Sequence, residues 1–576
     1  MKMNIFKYFE TEFQAIFDKM QTSGALASGL DTGRVVFELP RDASHGDLAC
    51  NAAMVLAKAA GAKPRDLAES FAAEIAKIEG VTGVEIAGPG FLNIRVEPML
   101  WARELDTILA AGDSYGRNES GGGRAINVEY VSANPTGPLH AAHARGAVLG
   151  DTMANLLAFS GWKVTREYYT NDAGAQVDVL ARSAYLRYRE ARGEQIGEIP
   201  AGLYPGAYLA DVGAALATEF GDKYMNADEE QWLGPIRAFA IQSIMESIRE
   251  DLLVLGIKMD FFASERALVE SGAVQNAVDR LMVNDQVYRG VLQPPKGKEP
   301  DDWEPREQLL FRSSDYGDDT DRPLQKSDGS WTYFASDVAY HMDKLDRTGG
   351  PLINIFGVDH GGYCKRMVAA VEALSGEKNM LDIRLCQLVN LMENGKPVKM
   401  SKRAGTFIMV RDVVEAVGAD VIRFIMLTRR SDQTLDFDYA KVTEQSRDNP
   451  VFYVQYAHAR ACSVLRQEST IDDNVAALDL LTDPAEMAVI KALTGWPKMV
   501  VSAANAHEPH RVAFYLVELA ATFHALWTAG RERPELRFIR EDEPALTAAR
   551  LRLVKATALV IRSGLGVLSI EAREEM

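Results

Sequence analysis

Cysteine is scarce in this sequence of 576 residues. The four cysteines are far apart and form no CxxC pair: Cys50, Cys364, Cys386 and Cys462. This spacing favours free thiols in a reducing cytoplasm over a disulfide framework or a thiolate zinc site. The N-terminus mixes charge into its apolar stretch, unlike a signal peptide, and no apolar run approaches the roughly 18 residues of a membrane span. We therefore predict a soluble, cytoplasmic protein with no membrane partner.

Basic residues are in the minority. The chain has 63 lysines and arginines against 81 aspartates and glutamates, a net charge of -18 at pH 7. That balance argues against a protein that coats nucleic acid non-specifically, although an enzyme with locally concentrated basic residues stays possible. The sequence also lacks a GxxxxGKS/T loop and an HExxH motif. We therefore expect neither a P-loop nucleotide site nor a protein-bound structural metal.

Changes in pattern along the chain predict three domains. Helical segments that end in strand-like sequence make residues 1–112 an α+β module, and a glycine-rich stretch at 112–124 is interpreted as a linker. Strand, helix and strand then follow in 124–169, which predicts a doubly wound, parallel-sheet (Rossmann-like) α/β domain over 124–440. Strands are expected again at 351–360 and 383–392, so residues of about 175–330 are interpreted as an insertion. Helical periodicity makes 445–576 an all-α bundle.

His140 and His143 lie three residues apart where the first helix of the α/β domain begins. A strand-to-helix turn at the carboxyl edge of a doubly wound sheet is a ligand-binding position, and a helix N-terminus suits phosphate. Two imidazoles there could donate hydrogen bonds to the phosphates of a nucleotide. Helix-capping or surface histidines are an equally good interpretation of HxxH alone, whereas no carboxylate or thiolate completes a zinc site.

A second group of residues lies in the segment 395–411, GKPVKMSKRAGTFIMVR. It carries five basic residues and no acidic one, in a chain that is strongly acidic overall. Such a loop can neutralise triphosphate charge as it develops in a transition state. Taken without the two histidines, a solvated basic loop is the simpler interpretation.

Together, HAAH at 140–143 and KMSKR at 399–403 resemble the two ATP-binding motifs of class I aminoacyl-tRNA synthetases. Within that class, VEYVSANPTGPLH, SDGSWTYFASDVAYHMDK, FGVDHGGY and RFIMLTRRSDQTLDFD closely resemble the arginyl-tRNA synthetases of bacteria. The resemblance runs nearly from end to end and includes AGPGFLN, NPVFYVQYAHAR and the C-terminal methionine. It implies an ATP-dependent ligase that forms arginyl-adenylate and pyrophosphate and then transfers arginine to the 3′ end of tRNA(Arg).

The resemblance also implies roles for single residues. Catalysis falls to His140, His143, Lys399 and Lys402. The ATP site would comprise His140, Ala142, His143, Gly357, Asp359, His360, Lys399, Met400, Ser401 and Lys402. Ala142 departs from the family, which normally has glycine there so that the adenine can lie against bare backbone. We expect its methyl group to raise the KM for ATP. Mg²⁺ is implied as the companion of ATP and not by any ligand motif.

The arginine site implied by the resemblance comprises Glu129, Asn134, Tyr333 and Asp337. A planar guanidinium is bound best by carboxylates, and Tyr333 and Asp337 are four residues apart, hence neighbours on one helix face. Asn134 would hold the amino or carboxylate end of the substrate. Without the resemblance, Glu129 and Asp337 would be interpreted as surface acids.

The tRNA contacts implied by the resemblance lie at both ends of the chain. Phe91 and Asn93 match positions that contact the tRNA elbow, and Tyr453, Tyr456 and Arg460 match anticodon-contacting positions, with Met576 nearby. The three helical residues fall at i, i+3 and i+7, where two rings and a cation would share one face. Tyrosines at this spacing are also typical of a helical core.

Two other functions remain as alternatives: an inactive paralogue that only binds tRNA, and a small-molecule adenylyl-transfer enzyme of the same fold. The second would lack the C-terminal helices and the GPGFLN module. We expect tRNA(Arg), L-arginine and ATP as partners and no DNA. The family is often monomeric and usually needs bound tRNA for arginine activation, and we expect both here.

Overall fold

The computed structural model describes residues 4–40, 42–292, 306–398, 408–444, 449–467 and 476–576. Its N-terminal part packs helices against a four-stranded antiparallel sheet of order β1-β2-β4-β3. The elements are α1 (Ile5–Thr22), β1 (Phe37–Glu38), β2 (Leu48–Cys50), α2 (Ala52–Ala60), α3 (Pro64–Ile75), β3 (Val81–Ala87), β4 (Phe91–Val96), α4 (Pro98–Ala102) and α5 (Glu104–Ala111). Phenylalanines of α1 meet the sheet and α3 in one aromatic core, so this part is the predicted α+β module.

The central part is built on a parallel sheet of five strands. In chain order its elements are β5 (Ala125–Glu129), α6 (Ala141–Phe159), β6 (Lys163–Thr170), α7 (Ala175–Ala191), α8 (Tyr208–Phe220), α9 (Glu229–Val254), β7 (Phe261–Ser264), α10 (Glu265–Glu270), α11 (Ala273–Val283), β8 (Val287–Gly290), β9 (Gln308–Phe311), β10 (Arg322–Pro323), α12 (Tyr333–Thr348), β11 (Leu352–Gly357), α13 (Cys364–Ser375) and β12 (Leu381–Cys386). The predicted parallel, doubly wound sheet is confirmed.

The strand order of this sheet is β12-β11-β5-β6-β7, with every neighbouring pair parallel. The chain builds outward from β5 to β7 and then returns to add β11 on the other side of β5. The direction of winding therefore reverses between β5 and β11. Ligands of doubly wound folds bind at the carboxyl ends of the strands beside such a reversal. Glu129 ends β5 there, opposite Asn354 of β11.

Helix α6 packs closely on the strand that precedes it. Leu149, Met153, Leu156 and Leu157 are buried, as the periodicity predicts. A side chain at Gly150 would begin 2.1 Å from the Tyr130 ring, so only glycine allows the helix to approach this closely.

The predicted insertion is not continuous. Strand Phe261–Ser264 lies within it, yet it is the edge strand of the main sheet and pairs with β6. Before this strand lie three helices, and after it the antiparallel sheet β10-β9-β8. The short strand was missed because four residues of FFAS between helices have no periodicity of their own. Residues 293–305 of the polar stretch lie outside the described residues.

The segment predicted as one strand at 383–392 is two strands in different sheets. Strand β12 ends at Cys386, and β13 (Val389–Glu393) joins β14 (Lys396–Pro397) and β15 (Leu435–Asp438) in a small sheet. Short helices α14 (Val410–Val417), α15 (Ala419–Ile425) and α16 (Tyr439–Val442) complete this region. The buried Arg145 of α6 donates to the carbonyls of Gln387, Arg430 and Gln433, which ties the small sheet to the main domain.

The described residues of the C-terminal part form five α-helices: α17 (Pro450–Gln467), α18 (Pro484–Thr494), α19 (Trp496–Ala506), α20 (His510–Glu532) and α21 (Pro544–Val567). Among the described residues, α20 alone is long and apolar enough to span a membrane by length and composition. It packs against α17, α18 and α21. Its apolar character is that of a core helix, and it provides no evidence for a membrane span.

The predicted linker is packed against these C-terminal helices. Tyr115 is buried, and its carbonyl accepts a hydrogen bond of 3.0 Å from Trp496 Nε1. Gly116 has a φ of 93°, and a side chain there would begin 2.2 Å from the same indole. Gly116 therefore serves a close contact between elements as well as a change of direction.

Candidate active site

The carboxyl ends of β5, β6 and β7 bring three acidic residues to one edge of the sheet. Glu129 is the last residue of β5, Asp172 lies two residues after β6, and Glu265 directly follows β7. Asp337 joins them from the second turn of α12, whose N-cap is Thr332. The negative charges of all four acids and burial raise the pKa of Tyr169, and burial is the largest cause. We call these four acids and Tyr169 the acidic pocket.

Glu129 already forms an ion pair within this pocket. Its Oε2 accepts a hydrogen bond of 2.7 Å from Lys344 Nζ, and its Oε1 accepts one of 3.0 Å from the Ser132 hydroxyl. Lys344 is fully buried and also donates to Asn354 Oδ1 at 2.7 Å. A buried cation and anion of this kind compensate each other's cost of desolvation. The predicted guanidinium ligand Glu129 therefore already has a cation partner within the protein.

Asp337 and Glu265 differ from Glu129, because no lysine or arginine among the described residues forms an ion pair with either of them. The pKa of Asp337 is raised to about 7, chiefly by burial. A hydrogen bond from the Tyr363 hydroxyl lowers this pKa, and the negative charges of Glu265 and Glu129 raise it further. Burial and Asp172 raise the pKa of Glu265 as well. Two carboxyl groups that resist ionisation make this pocket suited to an incoming cation.

Asp172 is held by its surroundings. The Ser264 hydroxyl donates to it at 2.7 Å, the Arg266 backbone N–H at 2.9 Å, and the Arg266 guanidinium lies 4.0 Å away. Tyr169 packs against Tyr340, with 4.3 Å between the ring centroids. These contacts fix the wall of the pocket from β6 and β7.

The other two residues predicted for the arginine site lie at more open positions. Tyr333 is 72% exposed, in the first turn of α12. Asn134 is exposed and donates to Gln176 Oε1 at 3.1 Å. Between Glu129 and Asn134 the backbone is strained, since Val131 has a φ of 71°, which is rare for a β-branched residue. Observed strain of this kind is typical of functional loops.

The two histidines begin helix α6. His140 is the N-cap, and its backbone N–H donates to His143 Nδ1 at 3.2 Å. The two rings are 3.8 Å apart between centroids. His143 therefore has the helix-capping contact considered as the alternative. The same hydrogen bond puts the proton of the neutral ring on Nε2, so that this nitrogen is a hydrogen-bond donor. Ala142 lies between them and is partly buried.

Residues 408–410, near the end of the lysine-rich loop 395–411, are bonded to the start of this helix. The Ala141 N–H donates to the Ile408 carbonyl at 2.9 Å, and the Val410 N–H donates to the Leu139 carbonyl at 2.9 Å, around a bridge between His140 and Met409. Lys399, Met400, Ser401 and Lys402 lie outside the described residues. The end of the segment that carries them is nevertheless attached beside the histidine pair.

The remaining predicted nucleotide residues lie at the carboxyl end of β11. Gly357 is the last residue of the strand and is exposed, and the short 3₁₀ helix Val358–Tyr363 follows it. Asp359 and His360 are exposed and lie 3.6 Å apart between carboxylate oxygen and Nε2. Strand β11 lies beside β5, so these residues border the reversal of the sheet on the side opposite Asp172 and Glu265.

In the described part of the chain, no group of three or more histidine, cysteine, aspartate or glutamate residues could hold a metal ion. The acidic pocket thus has charge without the geometry of a metal site. Mg²⁺ needs no such cluster, because it commonly keeps several waters and binds through substrate phosphates with one or two carboxylates, so ATP itself would supply much of its coordination.

The aromatic residues predicted on α17 form a compact cluster. Tyr453 packs on His524, and the Arg460 guanidinium lies between the rings of Tyr456 and Trp527, at 4.3 and 4.6 Å. Tyr456 is 36% exposed, whereas Tyr453 and Arg460 are partly buried. One exposed ring, backed by a cation, is therefore available for stacking, and the second tyrosine belongs partly to the core.

Met576 is exposed. The residues before it lie along a face of α17 other than the one that carries Tyr453 and Arg460. Gln455, His458 and Arg466 bond the carbonyls of Glu571, Arg573 and Glu574, respectively. At about 100° per residue, these three side chains point away from the face of Tyr453 and Arg460.

In the N-terminal sheet, Phe91 is 41% exposed and Asn93 is buried on the same strand.

Sequence reasoning missed Glu265, Asp172, Tyr169 and Lys344. Their signal was weak but present, since TNDAG and SERA each begin where a strand ends. Assigning FFAS to the main sheet would have placed Glu265 beside Asp172. Lys344 has no such signal, because a lysine eleven residues after Tyr333 gives no indication that it is buried.

Family models match three stretches of the chain. They are described as "Arginyl tRNA synthetase N terminal domain" over residues 8–96, "tRNA synthetases class I (R), catalytic domain" over 104–200 and "DALR anticodon binding domain" over 454–576. The first and third lie within the N-terminal and C-terminal parts of the fold, and the second begins in α5 and covers the start of the central part.

Curated relatives are similar over their whole length. The chain is 55% identical over 581 residues to an arginine–tRNA ligase of Ruegeria pomeroyi and to one of Paracoccus denitrificans, covering 100% of each chain. Among solved structures, a protein described as a putative arginyl-tRNA synthetase of Campylobacter jejuni matches with a TM-score of 0.72 and 31% identity, over 84% of this chain and all of that one. The arginyl-tRNA synthetase of Thermus thermophilus has the same fold, with a TM-score of 0.71 at 22% identity. With this identity over the full length of both chains, the protein belongs to the arginyl-tRNA synthetases, the class I ligases that join arginine to tRNA.

Proposed function

We propose that the acidic pocket holds the guanidinium of arginine while the histidine pair and the lysine-rich loop hold ATP. The observation that carries this proposal is the pair Asp337 and Glu265, a half-buried and a buried acid with no cation partner among the described residues. Bidentate hydrogen bonds from a guanidinium would satisfy both. Glu129 then acts mainly through its ion pair with Lys344, which keeps the wall of the pocket rigid. Tyr333 and Asn134 close the pocket at its exposed rim.

In the proposed first step, the arginine carboxylate attacks the α-phosphorus of ATP, and pyrophosphate leaves. His143 Nε2 and His140 orient the phosphates at the N-terminus of α6, whose own N–H groups favour the same charge. Gly357, Asp359 and His360 contact the adenosine, with Met400 and Ser401 beside it. Lys399 and Lys402 neutralise the charge that develops on the phosphates. Mg²⁺ bound with ATP would supply further charge neutralisation. This chemistry depends on positioning more than on covalent help.

In the second step, a terminal ribose hydroxyl of tRNA(Arg) attacks the carbonyl of the mixed anhydride and releases AMP. The match of residues 8–96 and 454–576 to tRNA synthetase domains supports tRNA binding at both ends of the chain. We assign 1–112 to the tRNA elbow, 124–440 to catalysis and 445–576 to the anticodon. Tyr456 offers a stacking ring supported by Arg460, and Met576 stays a predicted contact. The protein would act as a monomer in the cytoplasm.

Charging of bulk tRNA with labelled arginine tests the whole proposal. Labelled citrulline, a neutral analogue with an oxygen in place of one guanidinium nitrogen, is the matched control. A pocket built around unpaired acids accepts the first and rejects the second. An inactive paralogue would charge neither, and an adenylyl-transfer enzyme of other specificity would exchange pyrophosphate without charging tRNA.

Replacement of Ala142 by glycine should lower the KM for ATP several-fold. The alanine methyl group lies on the first turn of α6, between the two histidines, where the adenine would otherwise meet bare backbone. Steady-state pyrophosphate exchange with bulk tRNA present measures the change, and the KM for arginine should stay constant. A KM for ATP that is unchanged or higher in the variant contradicts the assignment.

Replacement of Phe91 by alanine should raise the KM for tRNA in aminoacylation by about tenfold, since a stacked base contributes roughly 1–3 kcal/mol. The exposed ring lies on strand β4, far along the chain from the catalytic sheet. Met54→Ala, at a similarly exposed position of the same domain, is the control. Parallel losses for tRNA, arginine and ATP would indicate misfolding instead.

A further inference from the structure

Asp251 is a buried carboxylate near the end of α9 that none of the roles above uses. Its side chain is fully buried. Its Oδ2 accepts a hydrogen bond of 3.0 Å from the Leu139 backbone N–H, and its Oδ1 accepts one of 2.8 Å from Arg411 Nε. Burial raises the pKa of this carboxyl group, while the two donors lower it. Since a buried charge is costly, its two partners are informative.

The two partners of Asp251 lie beside the two proposed ATP-binding elements. Leu139 directly precedes His140, and Arg411 is the second residue of α14, four residues after the last residue of 399–407. The backbones on either side already exchange two hydrogen bonds, from Ala141 to Ile408 and from Val410 to Leu139. Asp251, on α9, accepts hydrogen bonds from both sides of this bridge, so a third element is attached to it.

The other contacts of Arg411 are weaker. It donates to the Ser247 hydroxyl at 3.0 Å, and Glu250 lies 4.0 Å away with an exposed side chain. Asp251 is the only one of the three that also bonds the segment before His140. One carboxylate therefore bonds both Leu139, just before α6, and Arg411, at the end of the segment 395–411.

We propose that Asp251 is a positioning residue for ATP, which holds residues 408–411 against Leu139 so that the two ATP-binding elements keep one spacing. This inference rests on the proposed assignment of His140 and His143 to ATP. Phosphate groups bound between two elements lose much of their stabilisation when the elements shift by about 1 Å. Arginine, bound at β6, β7 and α12, should not sense this shift.

Asp251→Asn tests the proposal with little change of volume. The amide still accepts a hydrogen bond from Leu139 but loses the charge that Arg411 requires. In pyrophosphate exchange with bulk tRNA present, we expect kcat/KM for ATP to fall at least tenfold while the KM for arginine changes less than twofold. Glu250→Gln, on the same helix and also near Arg411, is the matched control and should leave both constants unchanged.

Arg411→Lys provides a second route if the first variant is unstable. It keeps the charge but loses the directed Nε bond, so it should lower kcat/KM for ATP in the same way. The double variant should lose little more than either single one, because both remove the same contact. Thermal unfolding of each variant measures stability separately.

Two results would overturn the positioning role. The first is unchanged ATP kinetics in a folded Asp251→Asn enzyme, and the second is an equal loss for ATP and arginine. The variant His143→Asn separates this failure from that of the proposed function. If His143→Asn impairs ATP handling and Asp251→Asn does not, only the positioning role fails; if neither does, the ATP assignment itself is wrong.

Discussion

Replacement of Asp337 by alanine is expected to lower kcat/KM for arginine in pyrophosphate exchange by about 1,000-fold, while ATP still binds. Asp337 is half-buried, its pKa is raised by desolvation, and its carboxylate accepts a hydrogen bond from the Tyr363 hydroxyl. Loss of one partner of a desolvated charge pair costs roughly 2–5 kcal/mol, because the guanidinium would then be buried without its counter-charge. Glu129 cannot replace it, since Lys344 already occupies its Oε2.

The control for this variant lies on the same helix. Asp346→Ala removes an exposed acid that pairs with Arg280 at 3.1 Å, and it should leave both substrates unaffected. Equilibrium binding of ATP shows whether the Asp337→Ala enzyme is folded at its nucleotide site. Normal arginine activation in this variant would remove Asp337 from the pocket.

The pH dependence of arginine binding gives an independent measure of the same group. With a pKa raised to about 7, Asp337 is largely protonated in the empty pocket below that pH. Arginine binds the ionised form, so binding must release a proton there. The KM for arginine should therefore rise as pH falls below about 7, approaching tenfold per unit, and should level off above it. Asp337→Asn should abolish this dependence.

Replacement of His143 by asparagine is expected to slow adenylate formation by about 100-fold. The asparagine Oδ1 can accept the His140 N–H, as His143 Nδ1 does, so the start of α6 should be preserved. The donor at Nε2 is lost. Removal of one preorganised donor to developing negative charge typically costs 10²–10³ in rate.

Single-turnover formation of arginyl-adenylate, with saturating arginine and bulk tRNA, isolates this step. The substitution His45→Asn at an exposed position of the N-terminal domain controls for a general effect of the change. A rate equal to that of the unaltered enzyme would show that His143 serves the helix alone, which is the capping interpretation.

Much of the fold could be predicted from local sequence. The alternating pattern of RAINVEYV, the apolar periodicity of α6 and the strand pattern at 163–170 are all local. The structure has a strand or a helix at each of these places. The three-part organisation follows from changes in these patterns. What the patterns do not contain is the order of strands in the sheet, because strand neighbours are chosen by packing between distant segments. The edge strand Phe261–Ser264 was accordingly mistaken for part of an insertion.

Local sequence identified several of the chemical groups that stand where strands end and helices begin, namely His140, His143, Glu129 and Gly357, but not the acids after β6 and β7. Only the tertiary structure decided which of them act together. The parallel order of β5, β6 and β7 brings three of the acids to one edge, buried Lys344 pairs with Glu129, and Asp337 and Glu265 are left without a cation partner in the described chain. The reason is physical, because the state of a carboxyl group depends on burial and on charges a few ångströms away, and those neighbours come from residues far apart in sequence.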